Sequence, residues 1–523
     1  MADVTITGPM PGQGSSKAAA PGPMLAADGT PLRVSLARSL RRQKLRALLL
    51  IAPLLLFIVV TFVLPIADML FRSVENRIVA DTLPRTVAAL GEDDAPVPGE
   101  EVFAALHEDL VVAAEAKTHT QLGTRLNYEY GGASSLFRSA GREVEDFGED
   151  LPDAFAAIDP RWEDPAQWAA WMGDEATRAA LPRAAEAWGA WTTMAAEAGD
   201  DPLEEDVPPF VFVALSRDLA AGATLPGPMT LPPGAAAPAP PDLKALFVED
   251  DEAWGEPGIW QVIRAYDSPY TAGYFLNALD LQMTPDGIAR RPPEERIHLM
   301  LFSRTLFMSL LITACCALLG YPVAYLLASL PMRSANLLMI LVLLPFWTSL
   351  LVRTSAWKVL LQQQGVVNDV LVWMGLVGDQ SRLLLINNQL GTVIAMTHIL
   401  LPFMILPLYS VMRGIPPSYL RAAKSLGAND WTAFWRVYFP QSVPGIGAGS
   451  ILCFILAIGY YITPELVGGT RGVFISNRIA YHISDSLNWG LAAALGTILL
   501  VVVLGLYWAY DKLVGIDNVK LGG

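Results

Sequence analysis

The sequence predicts an all-α membrane protein with six transmembrane helices and a large, mainly helical insertion between the first and second helices. Three observations support this. Apolar runs long enough to cross a membrane recur along a chain of 523 residues that is 53% hydrophobic. A long acidic segment, residues 72–297, separates the first run from the others. A polar, helix-forming segment, residues 413–446, interrupts the later runs.

The charge distribution separates a soluble segment from a membrane segment. The formal net charge of the chain is −15. Residues 72–297 hold 41 of the 51 acidic residues but only 16 of the 36 basic ones, which leaves the rest of the chain net basic. Nucleic-acid binding requires a clustered basic surface, so this balance predicts no nucleic-acid partner.

The first 71 residues predict a cytoplasmic N-terminus followed by one membrane span. Residues 1–32 are rich in Gly, Pro, Ala and Ser and are expected to be disordered. An arginine- and lysine-rich stretch ends at Arg46, directly before the apolar run Ala47–Phe71. Positive charge favours the cytoplasmic side, so the N-terminus is predicted inside and residues 72–297 outside.

The insertion is predicted to fold. It contains seven tryptophans, which argues against disorder, and segments such as EVFAALHEDLVVAAEAK have the pattern of amphipathic helices. A Pro- and Ala-rich linker is predicted near Thr224–Asp242. We interpret the acidity chiefly as a solvated surface, with a docking surface for a basic partner as the alternative.

Five further spans are predicted after the insertion. Their ranges are Phe302–Leu330, Leu337–Leu351, Thr392–Met412, Gly445–Ile462 and Leu491–Tyr510. An outer loop containing Lys358 and QQQGVVNDVL follows the third span. The predicted domains are a disordered basic N-terminus (1–46), helix 1 (47–71), an extracytoplasmic insertion (72–297), a membrane core (298–510) with a cytoplasmic loop (413–444), and a cytoplasmic tail (511–523).

The polar segment RGIPPSYLRAAKSLGANDWTAFWRVYFPQSVPGI predicts two helices joined by a corner. Pro416 and Pro417 suit a helix start. Gly427 suits a left-handed residue that ends the first helix, and Asn429 can cap the second. The second helix is expected to end near Phe439, because proline disfavours helical geometry in the residue before it. On chemistry alone, an amphipathic connector on the lipid surface is an equal alternative.

The same segment resembles the cytoplasmic coupling loop of ABC-importer permeases, written E-A-A, three residues, G, nine residues, I, one residue, L-P. Here Ala422-Ala423, Gly427, Val437 and Pro440 keep that spacing. Together with LLPFWTSLLVRTSAW, GYYITPELVGG and NWGLAAALG, the chain resembles spermidine/putrescine-type permeases over Ala47–Phe71 and roughly Leu299–Lys512. The fold implied is that of type I ABC-importer permeases.

The resemblance implies a function and a set of partners. The function implied is the permease subunit of an ATP-driven importer in the bacterial inner membrane, with both termini cytoplasmic. The partners implied are a cytoplasmic ATPase dimer, a second and related permease, and a periplasmic substrate-binding protein. The coupling residues implied are Arg421, Ala422, Ala423, Leu426, Gly427, Ala428 and Pro440. No cofactor is expected in this chain, because no phosphate-binding G-x-x-x-x-G-K-[ST] motif is present and ATP with its magnesium must bind the ATPase.

Two residues depart from the family pattern. Arg421 occupies the position of the glutamate that names the motif, which reverses the polarity of any ion pair to the ATPase. Glu465 stands where a small apolar residue is expected and adds a carboxylate near the outer mouth of the pathway.

Candidate substrate-pathway residues are aromatic, polar or acidic groups near the outer ends of the spans. A polyammonium solute could use carboxylates for charge and aromatic faces for cation–π contacts. The alternative is an interfacial aromatic belt with ordinary loop packing. The candidates are Trp347, Thr348, Tyr460, Tyr461, Glu465 and Asp485.

No catalytic or metal-binding motif is present, so the sequence predicts a translocation subunit and not an enzyme. Permeases for an amino acid, phosphate or another small cation share nearly all of these features. A secondary transporter, a channel or a membrane receptor remains as a further alternative. An ion-driven carrier has no use for a loop that docks an ATPase, and the tail is too short for a signalling domain.

Overall fold

The computed structural model describes residues 32–225, 231, 236–284 and 287–514. Residues 1–31 of the N-terminal segment predicted to be disordered, part of the predicted linker (226–230 and 232–235) and the end of the C-terminal tail lie outside the described residues. The chain forms two compact units, residues 1–69 and 70–523.

The described part of the first unit, residues 32–69, is helical throughout and contains most of the predicted first span. The prediction of disorder for residues 1–46 is wrong for residues 32–46, which belong to this helix. It consists of α1 (Leu32–Ile58), a π-helical turn (Val59–Val63) and the start of α2 (Leu64–Arg72). The stretch Gln43–Arg72 is long and apolar enough to cross a membrane. The Leu64 N–H bonds to the Val59 carbonyl, five residues back, directly before Pro65. This wider turn lets the helix continue past a proline that lacks an N–H.

The insertion is mainly helical, as predicted, with a hairpin that was not predicted. The hairpin pairs β1 (Leu281–Thr284) with β2 (Gly287–Arg290) in antiparallel register, Leu281 opposite Arg290. Its helices are α3 (Ile78–Thr82), α4 (Pro84–Leu90), α5 (Glu100–Glu115), α6 (Thr118–Leu126), α7 (Ala133–Glu143), α8 (Asp150–Ala156), α9 (Pro165–Gly173), α10 (Glu175–Ala180), α11 (Pro182–Ala198), α12 (Pro209–Ala220), α13 (Leu243–Asp250), α14 (Pro257–Ala265) and α15 (Gly273–Ala278).

A tryptophan-rich core holds the insertion together. All seven tryptophans of the insertion are buried, and Trp168 and Trp260 are 0% exposed. Each of these two donates its indole N–H to a backbone carbonyl six residues earlier, at 2.7 and 2.9 Å. Burying such large side chains contributes about 1.5–3 kcal/mol each or more, so this segment has a hydrophobic core of its own.

The membrane core follows the insertion. Its helices are α16 (His298–Ser329), α17 (Met332–Leu343), α18 (Leu350–Leu360), α19 (Val366–Trp373), α20 (Gln389–Gly414), α21 (Pro417–Ser425), α22 (Asp430–Ala433), α23 (Phe439–Gly459), α24 (Ile462–Val467), α25 (Gly469–Gly472), α26 (Ile475–Ser484) and α27 (Trp489–Val514). Within the described residues, five helices are long and apolar enough to cross a membrane, or six if a bent pair counts as one span.

Helices α16, α20 and α23 pack against one another at the centre of this core. Glycines allow the close approach of α23 to α20. A Cβ atom on Gly449 would lie 2.6 Å from the Met404 sulfur, and one on Gly445 would lie 3.2 Å from the Leu408 Cα. The small residues of the segment GIGAG, Gly445–Gly449, therefore serve helix packing.

The third predicted span is not one straight helix. Helix α17 ends at Leu343, a 3₁₀ turn covers Leu344–Trp347, and α18 starts at a bend of 94°. Pro345 lacks an N–H, and the Ser349 hydroxyl accepts the Val352 N–H at 3.2 Å to cap the new helix. The predicted outer loop is also wrong in part, because Lys358 lies within α18 and Val366–Trp373 is helical.

The insertion is fastened to the core by backbone capping. The Asp280 carboxylate, 4% exposed, accepts the N–H groups of His298 and Leu299 at 3.0 and 2.9 Å. These are orphan donors at the start of α16, where a negative charge also suits the helix dipole. A Cβ atom on Gly490 would lie 2.3 Å from the Tyr274 ring, so α15 and the start of α27 are in close contact.

Glu108 makes the stability of the insertion depend on pH. Burial is the main cause that raises its pKa to about 7, while Arg85, 3.4 Å away, opposes the shift and Glu186 and Asp109 add to it. The folded state therefore holds this proton more tightly than the unfolded state. The resulting stabilisation is complete below pH about 4.5 and is lost as the pH rises through about 7.

We expect Glu108→Gln to raise the unfolding temperature of the insertion at pH 8, by a few degrees for each ~1 kcal/mol gained, and to change it little at pH 5. Tryptophan fluorescence of the purified full chain during heating measures this. The exposed Glu163→Gln is the matched control and should behave as wild type at both pH values. Equal unfolding temperatures of Glu108→Gln and wild type at pH 8 would contradict the raised pKa of Glu108.

Candidate functional site

The segment predicted as a coupling loop forms a helical elbow. Helix α21 ends at Ser425, and Gly427 has a φ of +88°, in the left-handed region that glycine tolerates best. The Ala428 N–H bonds to the Ala423 carbonyl at 3.1 Å, and the Gly427 N–H to the Lys424 carbonyl at 3.0 Å. These bonds satisfy the last carbonyls of the first helix.

The second arm of the elbow begins as predicted but does not end as predicted. The Asn429 side chain accepts the Thr432 N–H at 2.7 Å and caps α22. The helix does not end near Phe439. A π-helical turn, Phe434–Tyr438, leads directly into α23, in which Pro440 is the second residue. The Phe439 N–H bonds to the Phe434 carbonyl, five residues back, so the wider turn carries the helix past the proline.

The elbow exposes apolar and charged side chains. Leu426 is 89% exposed, Trp431 71% and Tyr419 51%, and α21 has no buried residue. Lys424 and Asp430 form an ion pair across the corner, whereas the Arg421 guanidinium has no ion pair in the described part of the chain. An exposed apolar surface with a charged rim is typical of a protein interface.

The arms of the elbow continue into the membrane core. The Arg413 guanidinium donates to the Ala328 carbonyl of α16 at 3.1 Å. The hydroxyls of Tyr321 and Ser442 lie 2.9 Å apart and join α16 to α23. Phe434, in the π turn, packs edge-on against Tyr325 with ring centroids 5.7 Å apart. The elbow is therefore joined directly to the contacts between the central helices.

The structure places three of the predicted pathway residues on one segment after α23. Tyr460, Tyr461 and Glu465 follow one another there, and Asn477 of α26 organises them. The Asn477 amide donates to the Tyr461 carbonyl at 2.8 Å and to the Glu465 carboxylate at 2.6 Å. The Ser476 hydroxyl donates to the Tyr460 carbonyl at 2.9 Å. Glu465 is nevertheless exposed, so its carboxylate can still meet a solute.

Trp347 and Thr348 lie at the bend between α17 and α18. Trp347 is 77% exposed, and the Thr348 hydroxyl donates to the Pro345 carbonyl at 2.8 Å. The next helix, α18, packs beside α24, with the buried hydroxyls of Thr354 and Thr463 3.0 Å apart. The bend thus leads into the helix that lies against the Glu465 segment.

Asp485 stands apart from the other candidates. It lines a cavity together with residues of the insertion, including Arg125 and Tyr274. No contact within the described residues joins it to Glu465 or Trp347. Sequence proximity to the fifth span placed it in the candidate group, but the cavity it lines is formed by residues far apart in the sequence.

Arg353 and Asn477 are polar residues of this region that the sequence analysis did not select. Arg353 lies on α18 with its Cζ atom 6.0 Å from the Phe346 ring centre, and its Nε atom is buried without an acceptor in the described residues. The sequence feature that could have identified Arg353 is the presence of an arginine inside the apolar stretch LLVRTSAW. Asn477 had no such signal, because its role depends on the fold. In the described residues, no cluster of His, Cys, Asp or Glu is arranged to hold a metal ion.

Comparison with known proteins identifies the core. Residues 316–514 match the family model described as binding-protein-dependent transport system inner membrane component. The chain is 37% identical over 212 residues to the spermidine/putrescine transport system permease protein PotB of Haemophilus influenzae, covering 40% of this chain and 73% of that protein. It is 36% identical over 213 residues to PotB of Escherichia coli, covering 40% and 76%.

A more distant relative and a solved structure are also similar to this chain. The inner membrane ABC transporter permease protein YdcU of Escherichia coli is 35% identical over 225 residues, covering 40% of this chain and 70% of that protein. A crystal structure of a bacterial alginate ABC transporter in complex with an alginate-bound periplasmic protein aligns with a TM-score of 0.36 at 19% identity, covering 44% and 81% of the two chains.

The matched region contains both the elbow and the central helices α20 and α23. The identity to PotB extends over more than two thirds of that protein. This chain therefore belongs to the family of binding-protein-dependent transport system inner membrane components.

Proposed function

We propose that this chain is the permease subunit of an ATP-driven importer for polyamines such as spermidine and putrescine. The observation that carries the proposal is the exposed elbow around Gly427, which joins the central helices α20 and α23 in a relative of the spermidine/putrescine permeases. Polyamines are elongated cations, and the carboxylate of Glu465 with the rings of Tyr460 and Tyr461 offers charge and cation–π contacts.

The proposed assembly has four kinds of component. A cytoplasmic ATPase dimer binds ATP and magnesium and receives the elbow, in particular Arg421, Ala422, Ala423, Leu426, Gly427, Ala428 and Pro440. A second, related permease completes the pathway, and a periplasmic binding protein delivers the solute. The elbow carries Arg421, Lys424 and Arg436, which supports a cytoplasmic position. The termini are then cytoplasmic and the insertion extracytoplasmic, in a bacterial inner membrane.

The proposed mechanism is mechanical. ATP-dependent closure of the ATPase moves the elbow, and the two helices that continue from it change their packing against α16. The helix from Asp430 to Gly459 has no break in its hydrogen-bonded helical turns, so it transmits displacement over its length. The outer pathway is then opened or closed near the bend at Trp347 and Thr348 and the segment of Tyr460, Tyr461 and Glu465.

The position of Arg353 supports a second candidate function, the import of an anionic solute. A guanidinium with a buried, unpaired Nε beside the proposed pathway attracts anions and repels polyamines. The two candidates are separated by ATP-dependent uptake in proteoliposomes that contain the complete transporter, with labelled putrescine, spermidine and phosphate as alternative solutes. Uptake of spermidine or putrescine alone supports the first candidate, and uptake of phosphate alone supports the second.

Gly427→Leu should lower the rate of ATP-driven uptake about tenfold or more, while the protein still inserts into the membrane. A residue with a side chain at φ +88° costs about 1–2 kcal/mol in this conformation, and the corner cannot keep its shape against the ATPase. Gly427→Asn is the matched control, because asparagine tolerates the left-handed region, and it should retain most of the uptake. Normal uptake by Gly427→Leu would count against the coupling role.

Glu465→Gln should raise the KM for spermidine up to about fivefold, since a solvent-exposed ion pair contributes up to ~1 kcal/mol. The glutamine preserves the size of the side chain and an oxygen for the Asn477 amide. Initial uptake rates over a range of spermidine concentrations give KM and the maximal rate separately. The distant, exposed Glu163→Gln controls for general loss of negative charge. An unchanged KM in Glu465→Gln would exclude this carboxylate from solute binding.

A further inference from the structure

A cavity of about 760 Å³ lies where the insertion meets the start of the last membrane helix. Its wall is formed by the chain after α2, one face of α6, the Tyr274 ring and the turn before α27. Asp485 is the one pathway candidate that lines this cavity, and the proposed transport mechanism does not use it. The site is formed by segments more than 400 residues apart in the sequence.

The cavity adjoins the ends of two candidate membrane spans. Arg72, in its wall, is the last residue of the candidate span Gln43–Arg72, and Trp489 is the first residue of the candidate span Trp489–Tyr510. Two span ends in one cavity place it at the boundary between the apolar layer and water. Leu487 and Trp489 also line it and are 65% and 51% exposed, and tryptophan is enriched at that boundary.

Two buried donors in this wall have no acceptor. Arg125 and Asn488 are each 7% exposed, and the Arg125 Nη2 and Asn488 Nδ2 atoms have no hydrogen-bond partner among the described residues. The other Arg125 nitrogens are used, with Nε donating to the Tyr274 hydroxyl at 3.0 Å and Nη1 lying 3.4 Å from a Glu129 oxygen. Buried donors without partners cost free energy, and a phosphate, with several acceptor oxygens, can satisfy both.

The cavity also presents one uncommitted negative charge. Asp485 is exposed, and its carboxylate has no ion pair or hydrogen bond in the described part of the chain. The other acid in the wall, Glu75, is already paired with Arg77 at 3.2 Å. Donors for a phosphate and one carboxylate for an ammonium group together match a zwitterionic ligand with both charges.

We propose that this cavity binds the headgroup of a phosphatidylethanolamine-type phospholipid. The phosphate accepts hydrogen bonds from Arg125 and Asn488, and the ammonium group pairs with Asp485. The acyl chains leave the cavity past Leu487 and Trp489 and lie along the exposed apolar side of α27, where Val501 and Leu504 are 64% and 56% exposed. The lipid thus joins the insertion to the membrane core, whichever solute the protein transports.

Native mass spectrometry of the delipidated full chain in detergent tests the proposal. The probes are phosphatidylethanolamine, phosphatidylcholine and phosphatidylglycerol with identical acyl chains. We expect phosphatidylethanolamine to be retained about tenfold more strongly than the other two, since only it combines a phosphate with a primary ammonium group. Equal retention of all three lipids overturns the proposal. Soluble phosphoethanolamine and inorganic phosphate, at millimolar concentration, should not displace the lipid, and displacement by either would assign the cavity to a free phosphate compound.

Two variants test the proposed phosphate site and the proposed ammonium site separately. Asn488→Asp keeps an oxygen that accepts the Leu491 N–H at the start of α27 but replaces the amide donor, and it should lower phosphatidylethanolamine retention about tenfold. Asp485→Asn should bring the ratio of phosphatidylethanolamine to phosphatidylcholine close to one. The exposed Asp200→Asn, elsewhere on the insertion, should leave retention unchanged.

These variants also distinguish lipid binding from loss of folding. Asp485 is exposed and makes no side-chain contact that the fold requires, so its variant decides the question even if Asn488→Asp unfolds. An unchanged lipid ratio in Asp485→Asn, with the wild-type unfolding temperature, contradicts the proposed ammonium site. Wild-type retention by a folded Asn488→Asp contradicts the proposed phosphate site.

Discussion

The constraint on which this structure depends is that every backbone N–H within an apolar layer needs an internal acceptor. Prolines disturb this pairing most, because each lacks an N–H donor and its ring crowds the carbonyl four residues earlier. Before Pro65 and before Pro440 the chain uses the same solution. A five-residue π turn ends two residues before the proline, and the N–H of the residue between them, Leu64 or Phe439, bonds to the carbonyl five residues back. The helix continues where a local rule predicts that it ends.

This solution determines the mechanical character of the elbow. If the second arm ended at Phe439, a flexible joint would separate the corner at Gly427 from the membrane core. The π turn instead places Phe434 and Tyr438 against Tyr325 of α16, with ring centroids of 5.7 and 5.2 Å. The corner is then attached to a continuous helix whose base is packed by aromatic rings. A π turn is also a place where a helix can change its hydrogen-bond register at small cost, and such turns are frequent at functional sites.

The sequence predicted those parts of the fold that depend on local composition. Long apolar runs predicted α16, α20 and α27 to within four residues at each end, whereas the fifth predicted span, Gly445–Ile462, begins well inside the continuous helix Asp430–Gly459. The positive φ required at Gly427 and the cap at Asn429 followed from residue type. The bend after Leu343 was missed because Pro345 and Ser349 act together, one removing a donor and the other capping a new helix. Arg353, Asn477 and the separation of Asp485 from Glu465 depend on contacts between distant segments, which periodicity does not encode.

The junction between the insertion and the core shows why the net charge of the insertion says little about the role of the insertion. Although residues 72–297 are strongly acidic, two of their buried acids, Asp280 and Glu129, have specific partners. Asp280 caps α16, and within the insertion Glu129 pairs with Arg291 at 2.7 Å, with both side chains of this pair at most 7% exposed. Removing one partner of such a buried pair leaves an uncompensated charge, which costs more than the pair contributes. The Asp280 cap and the close contact of Tyr274 with Gly490 join the insertion to α16 and α27, so movement of these helices during transport acts on the insertion as well.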